Sequence, residues 1–266
     1  MLQKFFSSIV TVIFIILVII FAYKTMYKPE MIVKSINNTT SESENNFVSR
    51  KELNSLIKEY IINNPSDIIT SLESIQNKQL SESIQKASDY ISEHRKDIET
   101  ADNPPIIGND QGDITIVIFY DYSCSFCKKA NRYINEFLVL DNNIKVILRP
   151  IPILSDNSVY ASKAALAVHK ASKEKFILFH NDLMSLKLIN ADSVRGLIKK
   201  YNIDFKLVEN EINSYSIKQS IGKNFEFAKG LGARGAPSYV INGNFIPGLI
   251  TVDKFKSIIS ELRKAH

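Results

Sequence analysis

The chain of 266 residues contains only two cysteines, Cys124 and Cys127, and two residues separate them. An apolar run from Ile114 to Tyr120 precedes the pair, and apolar residues at helical spacing follow it. We therefore expect Cys124 at or near the N-terminus of a helix. There, free backbone N–H groups and the positive end of the helix dipole lower the pKa of a thiol by roughly one to several units. These residue types at this spacing favour a redox-active dithiol.

Other uses of a cysteine pair fit the sequence less well. A zinc site needs four ligands, yet there is no second cysteine pair, and the histidines lack the usual metal-binding spacing. Haem attachment needs a histidine directly after the second cysteine, where this chain has Lys128. A structural disulfide rarely links residues three apart at a strand-to-helix junction, although geometry alone permits it. The sequence thus predicts redox chemistry with neither a metal nor a cofactor.

Composition and charge set the outer limits of the function. With 45% hydrophobic residues the chain can bury a full core, and its net charge of +5 comes from scattered lysines. Scattered charge does not indicate a nucleic-acid surface. The first hundred or so residues differ in character from the rest, so we expect more than one unit.

Residues 1–23 contain a mostly apolar run from Phe5 to Tyr23, which fits either a signal peptide or a membrane anchor. The length of the run favours an anchor. Lys24, Lys28 and Lys34 on its far side oppose the usual positive-inside orientation, so cleavage stays open. Both interpretations export the rest of the chain, where a dithiol meets an oxidising compartment.

Residues 24–48 are predicted to form a flexible spacer, and residues 49–100 a helical segment. Ser49 and Glu52 form a capping box, and Asn64-Pro65 separates two amphipathic stretches. Two such helices cannot bury their apolar faces alone. They pack either on the domain that follows or on further copies of themselves, which would make an oligomer.

Residues 101–266 are predicted to form one α/β domain, entered through a hinge that includes Asn103-Pro104-Pro105 and Gly108 to Gly112. The pattern predicts strand, helix and parallel strand, then a helical insertion at about residues 155–228, then a hairpin around Asn242-Gly243 and a final helix capped by Thr251. The strands and first helix are predicted at Ile114–Tyr120, Ser125–Leu140, Ile144–Leu148, Ser238–Ile241 and Asn244–Ile246. This order is that of a thioredoxin fold with a helical insertion.

Gly230 to Gly235 match the G-x-G-x-x-G pattern of dinucleotide-binding sites, but the context is wrong. That pattern must leave a strand and open a helix, so that the phosphate meets the helix N-terminus. Here it leaves a predicted helix and enters a predicted strand. The glycines are instead expected to serve tight backbone conformations.

Pro237 directly precedes a predicted strand, and in a fold of this type a cis bond is expected before it. A cis Ala236–Pro237 bond would turn the N–H and C=O of Ala236 toward Cys124, where an extended substrate could pair as an added strand. An ordinary trans proline at a strand start also fits the local sequence.

These residues together resemble DsbA-like thiol:disulfide oxidoreductases. The resemblance spans about residues 110–262 and rests on three segments, which are Phe119–Cys127 with its Cys-Ser-Phe-Cys motif, Pro150–Leu154, and Gly232–Gly243. More weakly, the helical stretch from Ser49 to Ile91 resembles the N-terminal oligomerisation segment of some exported relatives.

The resemblance implies a thioredoxin fold, a periplasmic location and reversible disulfide exchange with exported proteins. Cys124 is then the exposed nucleophile, Cys127 the shielded resolving thiol, and Ala236 with Pro237 the substrate-binding backbone facing them. A membrane partner is implied as the reoxidant. Asp121 matches an acidic position common before the motif, where it either tunes the site or serves as a turn residue.

The function favoured by these residues is an exported oxidase that donates its disulfide to folding proteins. An oligomeric isomerase or reductase is the alternative if the N-terminal helices form a multimer. An envelope interaction protein without redox turnover is the alternative from another class.

Two departures from the family bear on the strength of the oxidant. Strongly oxidising relatives have histidine before the second cysteine, where this chain has Phe126, and they often have threonine or valine where it has Ala236. Both changes remove groups that would stabilise a thiolate. We therefore expect a reduction potential between the roughly −120 mV of DsbA and the roughly −270 mV of thioredoxin.

Overall fold

A computed structural model describes residues 16–19, 21–22 and 48–264 of the chain. The predicted leader, residues 1–23, and the predicted spacer, residues 24–48, lie mostly outside the described residues. Residues 16–19 and 21–22 are helical. Within the described ranges, no helix combines the length and the apolar character needed to cross a membrane.

Two helices open the continuously described part of the chain, α1 (Arg50–Asn63) and α2 (Pro65–Thr100). The Ser49 hydroxyl accepts a hydrogen bond from the Glu52 N–H at 3.2 Å, which is one of the two hydrogen bonds of the predicted capping box. Pro65 is the first residue of α2, as the sequence predicts. The chain divides into two compact units between Ile69 and Thr70. The second unit therefore begins inside α2, and the predicted domain boundary near residue 101 stays a prediction.

Apolar side chains are widely exposed on these two helices. All residues of α1 are exposed, and the buried residues of α2 are confined to its second half at Ala87, Ile91 and Ile98. Between residues 48 and 69, the large exposed apolar side chains are Val48, Leu53, Leu56, Ile57, Tyr60, Ile61, Ile62, Ile68 and Ile69. Those on α2 in the second unit are Leu72, Ile75, Leu80 and Ile84.

A five-stranded sheet forms the centre of the second unit. Its strands are β1 (Ile106–Gly108), β2 (Ile114–Tyr120), β3 (Ile144–Pro150), β4 (Ser238–Ile241) and β5 (Asn244–Pro247). They lie side by side in the order β1-β3-β2-β4-β5. Strands β2 and β3 are parallel, with Ile116 beside Val146, and β4 and β5 form the antiparallel hairpin predicted at Asn242-Gly243. The thioredoxin-like fold is thereby confirmed.

Helices cover the sheet and fill the connection between β3 and β4. Helix α3 (Ser125–Leu140) links the parallel strands, and α9 (Val252–Lys264) ends the described chain, with the Thr251 hydroxyl accepting from the Lys254 N–H at 3.3 Å. The helices of the insertion are α4 (Asp156–Ala171), α5 (Lys173–Ser185), α6 (Ala191–Lys200), α7 (Phe205–Ile212) and α8 (Tyr215–Gly230).

Strand β1 corrects part of the predicted hinge. Ile106 to Gly108 pair antiparallel with the outer edge of β3, so Gly108, which was predicted to belong to the hinge, is part of the sheet. A strand of three residues that follows two prolines and ends in glycine has too little periodicity to be distinguished from a loop.

Arg149, on strand β3, connects the end of α2 to the sheet by hydrogen bonds. Arg149 is 1% exposed, and its guanidinium donates to the carbonyls of Asp97, Ile98 and Ala101 at 2.7–3.1 Å and to Oδ1 of Asn224 at 2.9 Å. These carbonyls belong to or follow the last turn of the helix, where most carbonyls lack a donor within the helix; the Asp97 carbonyl also accepts from the Ala101 N–H at 2.9 Å. Arg149 thus supplies the cation that a helix C-terminus favours.

Gly230 allows a close approach between α8 and α2 within the second unit. A Cβ atom at this position would lie 2.1 Å from Cζ of Tyr90. The glycine-rich segment leaves helix α8 and enters strand β4, which is the arrangement predicted from the sequence. Gly232 adopts a φ of +69°, which a side-chain-bearing residue rarely takes.

Candidate active site

Cys124 is the N-cap residue of α3, directly after β2 and its turn. Its sulfur accepts a hydrogen bond from the Cys127 N–H at 3.4 Å, and its carbonyl accepts from the Lys128 N–H at 3.0 Å. Both cysteines are free thiols. Cys124 is 8% exposed and Cys127 is fully buried, so Cys124 is the more accessible of the two but is itself buried, unlike the exposed nucleophile that the resemblance implies.

The two thiols have opposite acidities. The pKa of Cys124 falls from its usual value near 9 to about 6, chiefly because the Cys127 thiol donates a hydrogen bond to it, with further help from the backbone N–H groups of Cys127 and Phe126. Hydrogen bonding to Cys124 and burial raise the pKa of Cys127 far above its usual value. One thiol is therefore poised as a thiolate at neutral pH and the other stays protonated.

Ala236 and Pro237 face the pair, and the peptide bond between them is cis, as the sequence predicts. The Cys124 sulfur lies 3.4 Å from the Ala236 carbonyl oxygen, to which it donates a hydrogen bond in its protonated form. The fold thus brings together all the residues assigned to the site from the sequence, although Ala236 follows Cys124 by 112 positions.

Asp121 lies beneath the turn that carries Cys124 and has no exposed surface. Its main-chain N–H donates to the Cys127 sulfur at 3.4 Å, and its carboxylate accepts hydrogen bonds from the Ser123 N–H at 2.7 Å and the Ser158 hydroxyl at 2.8 Å. The sequence left open whether this residue tunes the site or only forms a turn.

A buried polar chain that sequence reasoning missed lies next to the turn. The Tyr120 hydroxyl donates to the Tyr122 hydroxyl at 3.2 Å, and that hydroxyl lies 2.8 Å from Nδ1 of His180. Nε2 of His180 lies 3.0 Å from Oδ1 of Asn131, an acceptor, so Nε2 carries the proton and Nδ1 accepts from Tyr122. Burial lowers the pKa of His180 to about 3, so the ring is neutral.

Exposed apolar side chains lie on the two segments whose backbone N–H groups contact Cys124 or Asp121. Phe126 is 56% exposed, and Ile153 and Leu154 are exposed on the loop whose N–H groups contact Asp121. Lys128, one helical turn from Cys124, donates to the Leu186 carbonyl. An apolar rim beside a shielded thiolate is a surface on which an extended apolar segment with a cysteine can lie.

The arrangement supports thiol–disulfide exchange. A low-pKa sulfur is a good leaving group and a ready nucleophile, and a protonated partner three residues away can resolve a mixed disulfide. Within residues 48–264, no three side chains of histidine, cysteine, aspartate or glutamate come close enough together to hold a metal ion.

Comparisons with known proteins agree with this chemistry. A sequence model of the DSBA-like thioredoxin domain matches residues 115–260, which is more than half of the chain. A probable disulfide bond formation protein D from Bacillus cereus is 23% identical over 171 residues, covering 59% of this chain and 78% of that protein.

Solved structures give the same result for the fold. The thiol-disulfide exchange protein alpha-DsbA2 from Wolbachia pipientis is 31% identical, with a TM-score of 0.61, over 66% of this chain and 95% of that one. A linker-deletion mutant of ScsC from Proteus mirabilis is 22% identical, with a TM-score of 0.63, over 85% of this chain and all of that one. At that identity the second likeness concerns the fold alone. On the strength of the domain match, the chain belongs to the DSBA-like thioredoxin domain family and is a protein-disulfide oxidoreductase.

Proposed function

We propose that the protein is an exported oxidase that introduces disulfide bonds into exported proteins through the Cys124–Cys127 pair. The observation that carries the proposal is the lowered pKa of Cys124, which results mainly from the hydrogen bond of the Cys127 thiol. A stabilised thiolate favours the reduced form of the pair, and a pair that prefers to be reduced gives its disulfide away.

The reaction begins with the disulfide form of the pair. A substrate thiolate attacks the Cys124 sulfur, the Cys124–Cys127 bond breaks, and Cys127 takes up a proton. A second substrate thiolate then attacks the substrate sulfur of the mixed disulfide, which releases Cys124 as a thiolate. The substrate has lost two electrons and the pair has gained them, so a reoxidising partner must remove two electrons before the next cycle.

Substrate binding is assigned to the backbone at Ala236 and Pro237 together with the apolar rim. The Ala236 carbonyl lies 3.4 Å from the Cys124 sulfur, so a peptide joined to that sulfur reaches this backbone. Phe126, Ile153 and Leu154 offer contacts to apolar side chains, which unfolded segments expose and folded proteins bury. Exported proteins that have not finished folding are the substrate class that fits.

Export to the periplasm is part of the proposal. It is supported by the apolar run within residues 1–23 and by the family, whose members are typically periplasmic. A membrane-bound reoxidant is proposed on the same family grounds. Alkylation of Cys124 in intact cells with a reagent that does not cross the inner membrane tests the location. Labelling is expected, and labelling only after lysis would contradict export.

The reduction potential tests the direction of the reaction. The full-length protein is equilibrated with graded glutathione buffers, and the fraction of dithiol is read by alkylation, with Cys127→Ser as the control that cannot form the internal disulfide. A potential more positive than about −180 mV supports an oxidase. A potential near or below about −250 mV would show a reductant or isomerase, and the oxidase proposal would then be wrong.

A second candidate, an oligomeric disulfide isomerase, is favoured by the exposed apolar side chains of α1 and of the first half of α2. Covering them with further copies of the chain would place several dithiols in one particle. Light scattering on the full chain and on a variant lacking residues 1–69 tests this. The deletion ends at Ile69 because Ala87, Ile91 and Ile98 are buried in the second unit. An oligomer that the deletion abolishes supports the isomerase, and a monomeric full chain removes its main support.

A further inference from the structure

Asp121 contacts both cysteines through its main chain. Its N–H donates to the Cys127 sulfur at 3.4 Å, and its carbonyl accepts from the Cys124 N–H at 3.1 Å. The residue directly follows β2, which is held on both sides by neighbouring strands. Its side chain is therefore fixed at a short distance from the two sulfur atoms.

The carboxylate of Asp121 is saturated by four protein donors. Oδ1 accepts from the Ser123 N–H at 2.7 Å and the Ser158 hydroxyl at 2.8 Å, and Oδ2 accepts from the N–H groups of Ile153 and Leu154 at 2.8 and 3.1 Å. A carboxylate offers about four lone-pair directions, so the hydrogen bonds use all of them. The four hydrogen bonds hold the carboxylate in one position.

A turn residue does not need these contacts. The Ser123 bond alone forms the local turn, since an aspartate in a turn accepts from the backbone N–H two residues ahead. The other three donors come from residues 32 to 37 positions further along the chain. They hold a buried negative charge in place beside the dithiol, and burial weakens the screening of that charge by water.

The fixed charge acts on both thiols in the same direction. The pKa of Cys124 is lowered chiefly by the Cys127 thiol, while burial and the Asp121 carboxylate oppose that shift. The same carboxylate adds to the causes that raise the pKa of Cys127. The Lys128 ammonium, which interacts with both Asp121 and Cys124, is the opposite charge nearby.

We propose that Asp121 is a positioning residue that sets the redox balance of the Cys124–Cys127 pair through its fixed negative charge. The charge destabilises the thiolate of the reduced form and so favours the disulfide. The protein is consequently a weaker oxidant than the same site without the charge. This inference rests on the redox role proposed for the pair, and it concerns the difference between variants, not the direction of the reaction.

The test is the glutathione equilibrium of the full-length Asp121→Asn variant, which removes the charge and nearly keeps the shape. The equilibrium is expected to shift about tenfold toward the dithiol, the order of effect of one nearby charge. For a two-electron couple, tenfold corresponds to about 30 mV toward a more oxidising potential. The pH midpoint of Cys124 alkylation is expected to fall in parallel by about one unit.

Two controls separate charge from structure. Ser158→Ala removes one donor to the carboxylate but keeps the charge, and it is expected to change the equilibrium by less than twofold. Asp156→Asn removes an exposed charge at the start of α4 and is expected to change nothing. Asp121→Ser is a second variant without the charge, and its hydroxyl can keep the turn bond to Ser123. It is expected to shift the equilibrium as Asp121→Asn does.

Several results would overturn the inference. The charge has no redox role if both Asp121 variants keep the wild-type equilibrium and midpoint while losing stability. The same conclusion follows if Ser158→Ala shifts the equilibrium as far as Asp121→Asn does. The wild-type potential decides the proposed function separately, because the shift between variants has the same sign whatever that value is.

Discussion

His180 should make the stability of the protein depend on pH between the pKa of its ring in the unfolded chain and the lowered pKa in the folded protein. The ring is buried between Tyr122 and Asn131, and burial lowers its pKa from 6.5 to about 3. The unfolded chain therefore binds a proton at His180 below pH 6.5 that the folded protein does not bind above pH 3. The free energy of unfolding must then fall as the pH falls through this window.

The size of the effect follows from the two pKa values. Well inside the window each pH unit costs about 1.4 kcal/mol. Between pH 7 and pH 5 the His180 contribution falls by about 2 kcal/mol, because titration of the unfolded chain has only begun at pH 7. Below about pH 3 the folded ring is protonated as well, and the loss stops.

Urea unfolding followed by tyrosine fluorescence measures this loss at pH 7, 6 and 5. Because Cys124 titrates in the same window, the comparison is made between Cys124→Ser and Cys124→Ser/His180→Gln. The first protein should lose about 2 kcal/mol more than the second between pH 7 and pH 5. The contribution of His169, whose pKa is also lowered by burial, is the same in both and cancels.

Equal pH dependence in the two proteins would refute the reasoning. The ring itself gives a direct check by NMR, which serves also if the double variant does not fold. His180 should remain neutral at pH 5, with the proton on Nε2. A ring that titrates near pH 6.5 would show that it is hydrated and that the hydrogen bonds to Tyr122 and Asn131 do not hold it neutral.

Three further predictions concern other parts of the structure. Arg149→Met should lower the free energy of unfolding by about 3–5 kcal/mol, because the carbonyls at the end of α2 lose the guanidinium donor. Urea titration measures this change, and an unchanged unfolding midpoint would contradict the prediction. Gly230→Ala should lower the melting temperature because its methyl group would overlap Tyr90. The control Gly222→Ala, at a position with open space around it, should leave the melting temperature unchanged or raise it. Equal effects of the two substitutions would be inconsistent with the close approach of Gly230 to Tyr90. Alkylation of Cys124 should follow a pH midpoint near 6, and a midpoint near 8.5 would remove the assigned thiolate.

The sequence predicts well those features that depend on neighbouring residues. The run Ile114 to Tyr120 forms β2, Cys124 caps the helix that follows, and Asn242-Gly243 forms the hairpin turn. Each of these follows from side-chain periodicity or from the backbone preferences of a few adjacent residues. The prediction that the site combines Cys124 with Pro237 relied on the fold as well, because no local pattern joins positions so far apart.

Features that depend on distant partners could not be predicted in the same way. In the sequence, Arg149 looks like an ordinary charged residue near the end of a predicted strand. Its hydrogen-bond partners, however, lie about 50 residues before it and 75 residues after it. The His180 ring has its hydrogen-bond partners, Tyr122 and Asn131, outside its own helix, and these contacts exist only once α5 packs beside the turn. Sequence reasoning also looked for a side-chain donor at position 126, whereas the backbone N–H of Phe126 contributes to the thiolate.

Because the low pKa of Cys124 depends chiefly on the Cys127 thiol, the choice of variant matters when substrates of this protein are captured. Mixed disulfides are commonly trapped by removing the resolving cysteine, but here that residue is also the main hydrogen-bond donor to the attacking sulfur. A Cys127→Ala trap would therefore present a less acidic sulfur than the native protein and would form its adducts more slowly at neutral pH. Cys127→Ser keeps a hydrogen-bond donor at the same position. A trapping variant with this substitution should therefore capture the proteins that react with the native pair more accurately than Cys127→Ala does.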